Sequence, residues 1–101
     1  MLLPLDIIRD AIKEHRQLQF DYRGLRRLVE PMALGVGHKG DWRLRAQQVG
    51  GLSSTGKVGD GSPKLFDVAL MGGIAVLATS FEVPSSYKSG DKALARIDTE
   101  L

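Results

Sequence analysis

QLQFDYRGLRRLVEPM, Gln17 to Met32, is the stretch on which the fold turns. Leu18, Phe20 and Tyr22 alternate with Gln17, Gln19, Asp21 and Arg23. A period of two places the apolar side chains on one face of a β-strand and the polar ones on the other. Arg23-Gly24 supplies the reversal into LRRLVEPM, so the stretch reads as a β-hairpin. On the returning strand Arg27 shares a face with Leu25 and Val29, while Arg26 points the opposite way. An arginine on the apolar face needs compensation, either from a carboxylate such as Glu30 or Asp67 or from a bound anion. Arg23 belongs to the hairpin tip, and Pro31 suits a strand end or an edge rather than the middle of a sheet.

Working outward, Pro4 followed by Leu5, Ile8, Ala11, Ile12 and His15 has the spacing of an amphipathic helix, predicted over about residues 4 to 15. Downstream, GVGHKGD (Gly35 to Asp41) reads as a turn, and WRLRAQQV as a strand with Trp42, Leu44 and Ala46 inward and Arg43, Arg45 and Gln47 outward. Gly50 to Pro63 is dense in Gly, Ser and Pro and reads as a loop. KLFDVALM and IAVLATSFEV follow as two strands separated by Gly72-Gly73, the second apolar enough to be buried on both faces. KALARIDTEL is helix-compatible, with Asp91 or Ser89 as its N-cap. A helix and about five short strands predict a mainly β fold, a small, strongly bent barrel of the Sm or SH3 type with a short C-terminal helical segment. The expected organisation is one domain over residues 1 to 101, with the barrel at about 17 to 84 and the C-terminal segment at about 85 to 101. Its interior is assigned Leu18, Phe20, Trp42, Leu44, Phe66, Leu77 and Phe81.

Composition narrows the chemistry. The 101 residues contain no cysteine, which excludes disulfides, thiolate metal sites and a Cys nucleophile and suits a reducing cytoplasm. No signal-peptide pattern opens the chain, and the longest uncharged run, Val68 to Phe81, is too short to cross a bilayer, so no membrane partner is expected. Net charge is only +2, yet the segment from Arg23 to Arg45 holds six basic residues against two acidic. Such a segment is either a solvated face or a surface for a polyanion. His15 and His38 have no partners at metal-ligand spacing, GVGHKG has neither phosphate-loop spacing, and no serine sits in a nucleophile elbow, so neither metal, cofactor nor catalysis is expected.

The order of YRGLRR-V-EP, WRLRA, LFDV, SFEVPSSY and D-KALA behind an N-terminal helix resembles the WYL-domain proteins of bacteria, over roughly Leu5 to Ile97. The family's hallmark tripeptide corresponds to Trp42-Arg43-Leu44, with arginine at the central aromatic, and its Arg-x-Val-x-Pro pattern to Arg27, Val29 and Pro31. The arginine that the family carries after the Phe of its fourth strand has no counterpart in Asp67-Val68-Ala69-Leu70. The resemblance implies an Sm-like barrel with a basic patch that binds nucleic acid or a nucleotide-like effector in a regulatory role. Larger relatives carry a winged helix-turn-helix, for which a single N-terminal helix does not suffice.

The expected ligand-binding residues are Arg27, Arg26, Arg43, Arg45, Trp42 and Tyr22. Arg43 and Arg45 line either a binding groove or plain surface. Trp42 is either a residue of the core or barrel rim or a stacking platform for a base. Tyr22 is a core residue with its hydroxyl at the rim, Tyr87 an anchor for the C-terminal segment, and Gln47 and Gln48 either face solvent or read a base edge. Single-stranded nucleic acid or a nucleotide-like ligand is one expected partner. The alternative is an interaction or oligomerisation barrel facing an acidic protein, and the third reading is a structural domain with no ligand. The apolar run from 74 to 83 further predicts a homodimer, a higher oligomer or a covered sheet edge.

Overall fold

The computed structural model describes residues 3 to 51, 63 to 85 and 87 to 101. A helix, α1 (Pro4–Lys13), precedes six strands: β1 (Arg16–Tyr22), β2 (Leu25–Gly37), β3 (Trp42–Gly51), β4 (Lys64–Asp67), β5 (Met71–Ser80) and β6 (Leu94–Glu100). Pro4 starts the helix, where its missing N–H costs nothing, and Ile8, Ala11 and Ile12 form the buried stripe. The helix ends two residues earlier than the periodicity predicts. His15 adopts a left-handed backbone (φ 53), stacks on Phe81, and accepts the Phe81 N–H at its carbonyl.

The hairpin forms as its sequence predicts. Arg23 (φ 53) and Gly24 (φ 76) are both left-handed, which matches the twist of the flanking strands, and Tyr22 pairs with Leu25 across the turn. Leu18, Phe20 and Tyr22 are buried. β2 then runs well past the expected turn at Gly35 and ends at Gly37. One edge of it pairs with β3 along its length, and the other is divided between β1, up to Val29, and β6, from Ala33. Pro31 therefore does sit mid-strand. It is tolerated because the β3 ladder shifts between Pro31 and Ala33 and the opposite edge changes partner around it.

β6 is the main departure from the sequence expectation, because KALARIDTEL forms a strand and not a helix. Its helix propensity is modest, whereas the edge of β2 beyond Val29 needs backbone partners, and that tertiary demand wins. Asp91 does cap the segment, but its carboxylate accepts the Ala93 N–H in a turn that leads into the strand. Pairing is close: a Cβ on Gly35 would stand 2.3 Å from the Arg96 carbonyl oxygen and 3.1 Å from Ile97 Cα. Backbone cannot yield as a side-chain tip can. Gly35→Ala is accordingly expected to cost about 1–3 kcal/mol, read as a lower denaturation midpoint with an unchanged slope.

The strands form one antiparallel sheet in the order β4-β3-β2-β1-β5, with β6 joined to β2. It is not the closed barrel of about five strands expected from the sequence. Only a 3₁₀ turn, Val68–Leu70, separates β4 from β5, so the sheet curls until its two outer strands share a corner, but no ladder joins them. β5 begins at Met71, runs through Gly72 and Gly73, and is an edge strand rather than one buried on both faces; Ala75, Ala78, Thr79 and Ser80 are exposed. Leu77 and Phe81, assigned to the interior, are half-buried and lie outside the central cluster, while Trp42 packs at its margin. That cluster joins Ile8, Ala11 and Ile12 of α1 to Leu18, Phe20, Tyr22, Val29, Leu34, Leu44, Ala46 and Phe66. Phe20, Tyr22 and Phe66 meet edge to face with centroids 5.1 to 6.2 Å apart. Of the loop predicted from Gly50 to Pro63, Gly50 and Gly51 belong to β3 and residues 52 to 62 lie outside the described residues.

Candidate functional site

Arg27 is the candidate whose surroundings are least ordinary. The period of two turns it toward the core beside Val29, and only 4% of it is exposed. Neither Glu30 nor Asp67 compensates it: Glu30 faces the Gln17 amide, and Asp67 accepts the Ala69 N–H. Instead its Nη1 donates to Gln48 Oε1 and its Nη2 to the Tyr22 carbonyl, each at 3.3 Å, while buried Nε has no acceptor among the described residues. Its guanidinium carbon lies 5.5 Å from the centroid of the Tyr22 ring. Burial pulls its pKa below the ordinary arginine value. Gln48, expected to face solvent, is 4% exposed and also donates to the Gly50 carbonyl, so it bridges Arg27 to the β3 backbone. Its position in the alternation, in step with Leu44 and Ala46, was the sequence signal for this inward role.

Tyr22 is a core residue, as expected, and its hydroxyl accepts the Asp67 N–H at 3.0 Å. Arg23 stands at the hairpin tip, exposed, with its guanidinium carbon 5.8 Å from the same ring.

The other arginines do not join Arg27. Arg26 is exposed and pairs with exposed Asp21 at 2.8 Å, a contact of little energetic weight. Arg43 pairs with Asp41 two residues before it. Arg45 donates Nε to Asp91 at 2.6 Å and Nη1 to the Pro63 carbonyl at 3.2 Å. Arg45 lies opposite Ala33 and Arg27 opposite Gly51, so six residues of β2, about 20 Å of strand, separate them. Trp42 is half-buried, with the guanidinium carbons of Arg9 and Arg96 at 5.7 and 5.5 Å from its ring, so cations already occupy its surroundings. Arg9 also grips Asp98 at 2.7 Å and thereby ties α1 to β6. Tyr87 donates to Glu100 at 3.1 Å and anchors the C-terminal segment as predicted; burial, followed by that contact, pushes its pKa up to about 12.

A cavity of about 560 Å³ opens beside the Arg45–Asp91 pair, with Met32 and Ala33 among its walls and Lys88 and Lys92 on its border. A second, of about 540 Å³, is bounded by Leu3, Leu5, Trp42, Val68 and Met71. Arg27 lines neither of them. Among the described residues no group of three or more His, Cys, Asp and Glu is placed to hold a metal ion, and no helix is long and apolar enough to cross a membrane.

The carboxylates respond to these contacts. The hydrogen bond from Arg45 draws the Asp91 pKa below its ordinary 3.8, and that from Arg9 does the same for Asp98. A carboxylate with a depressed folded-state pKa stabilises the fold above its unfolded value and loses that contribution as pH falls through the folded one. Melting temperature is therefore expected to fall on acidification below about pH 4, and less steeply in Asp98→Asn, as followed by circular dichroism.

No family model matches the chain, and no curated protein sequence does. Among solved structures the fold matches proteasome accessory factor B/C (PafBC) of Arthrobacter aurescens with a TM-score of 0.67 and 24% identity, over 85% of this chain and 13% of that one. This chain thus corresponds to a small part of a much longer protein. At that identity the likeness establishes a shared fold: one helix packed on a curled antiparallel sheet is an arrangement that PafBC also contains.

Proposed function

We propose that this chain is a non-catalytic regulatory binding module, WYL-like in character, whose ligand is a phosphate-bearing group of a nucleotide or a single strand received at Arg27. The observation that carries the reading is the Arg27 guanidinium, buried, without a carboxylate among the described residues, and with Nε lacking an acceptor. Its two hydrogen bonds, at 3.3 Å, go to neutral oxygens. Charge-assisted bonds to phosphate run at about 2.7–2.9 Å and are roughly twice as strong, so an anion offers this group better acceptors than it has. The match of Arg27, Val29 and Pro31 to the WYL pattern supports the same residue, and the fold shared with PafBC is compatible with it.

Fluorescence anisotropy with a labelled oligothymidylate and with ATP tests the reading. Saturable binding that weakens as salt rises from about 50 to 200 mM and that depends on Arg27 is the expected result. Binding that survives loss of Arg27 undiminished would overturn it.

A further inference from the structure

The cavity of about 560 Å³ beside Arg45 has the size of an ordinary small-molecule site and lies along the Ala33 half of β2, whereas Arg27 sits on the other half. Its apolar walls come from Met32 and Ala33, both buried, and from Pro63. The acidic groups nearby are already committed. Asp91 accepts Arg45 Nε at 2.6 Å and the Ala93 N–H at 2.9 Å. Glu100, which does not line the cavity, accepts the Tyr87 hydroxyl at 3.1 Å and the Gly90 N–H at 3.2 Å on one oxygen. The lysines on the border are not committed: Lys88 and Lys92 are exposed, and neither has a carboxylate partner among the described residues. Both nonetheless leave a tethered backbone. Glu100 holds residues 87 and 90, Arg45 holds Asp91, and the Lys92 carbonyl lies 2.9 Å from His38 Nε2, while left-handed Gly90 (φ 76) makes the reversal between the two lysines. An apolar hollow with two uncommitted ammonium groups on a fixed rim is organised before any ligand arrives.

We infer that this cavity is a binding site for a small organic anion with an apolar body, its carboxylate or phosphate-monoester head held by Lys88 and Lys92 and its hydrocarbon part against Met32, Ala33 and Pro63. An ammonium on a flexible stem meets either head as a point charge, so the lysines select for charge rather than for the shape of the head. Arg45 is a positioning residue here, because its guanidinium is taken up by Asp91 and the Pro63 carbonyl and serves to hold the rim against β3. A neutral apolar molecule would leave the two lysines unanswered. A nucleic-acid strand would leave the apolar hollow unused, because its charged backbone follows basic grooves and its bases stack on aromatic rings. The site does not depend on Arg27, which does not line it.

NMR chemical-shift titration of the isotopically labelled full chain tests this, with octanoate, octyl phosphate, octan-1-ol and oligothymidylate as probes. Octanoate or octyl phosphate is expected to shift the amides of Ala33 and of residues 88 to 92 saturably, with a Kd on the order of 1 mM, and the tighter of the two identifies the head. From butanoate to octanoate each added methylene should tighten binding about two- to fourfold. Lys88→Gln/Lys92→Gln, at two exposed positions, is expected to weaken binding about tenfold with an unchanged melting temperature, and Arg27→Met to leave it as it is. Absence of a saturable shift at about 10 mM of either anion would overturn the proposal. So would octan-1-ol binding as tightly as the anions, undiminished binding in the lysine variant, loss of binding in Arg27→Met, or oligothymidylate shifting the same amides more strongly than octanoate.

Discussion

Phe20→Ala is expected to cost about 3–5 kcal/mol, enough to unfold much of a domain whose whole stability is of order 5–15 kcal/mol. Phe20 is completely buried, with Tyr22 and Phe66 against its ring edge to face, and the helix residues Ile8 and Ile12 belong to the same cluster. Truncation removes the hub of the aromatic trio and leaves a void that three elements would have to close together. Phe81→Ala is expected to cost roughly 1 kcal/mol, the ordinary scale for a half-exposed site, since its ring stacks on His15 and lies outside the cluster. Urea denaturation of both variants measures the difference. Equal losses would mean that Phe81 belongs to the interior to which its apolar neighbourhood first assigns it.

Arg27 is expected to separate stability from binding. Replacing a buried, imperfectly satisfied charge by an apolar side chain of similar length is often neutral or stabilising, so Arg27→Met should melt no lower than the wild type. The same substitution should weaken binding of oligothymidylate or ATP by about 1.5–3 kcal/mol, the range for hydrogen bonds to charged groups. Arg27→Lys should recover only part of it, because an ammonium lacks the planar fork, and Arg23→Ala at the hairpin tip should change little. A stable Arg27→Met that binds as well as the wild type would reduce Arg27 to a structural oddity. A severely destabilised Arg27→Met would show that its bonds to Gln48 and Tyr22 hold β2 to β3 and to the hairpin, and that the group is kept for the fold.

Elements with strong local signals were legible in the sequence. The hairpin needed only the alternation around Phe20 and a glycine after Arg23, and α1 only its apolar spacing and Pro4. β6 was not legible, because Leu94 to Glu100 is a strand for the sake of β2, a partner more than fifty residues away in the chain. The same holds for β5: apolar density reads as double burial, whereas its place at the end of the strand order leaves it half outside. At the candidate site, burial of Arg27 followed from its parity with Val29. The neutralisation of Arg45 did not, because the proximity of Asp91 to it is a fact of the tertiary fold. Clustered arginines in sequence therefore became separate ion pairs in space.

The division of β2 between β1 and β6 bears on how the register of that strand is held. Sliding β2 by a single residue would exchange its faces, sending Arg27 into water and Arg26 into the core. A strand paired on one side only could slip at the expense of one ladder. β2 cannot, because Leu25 to Val29 are held by β1, Ala33 to Gly37 by β6, and nearly the whole length by β3. Slippage would have to break all three ladders at once, so the burial of one guanidinium is fixed by strands drawn from both ends of the chain.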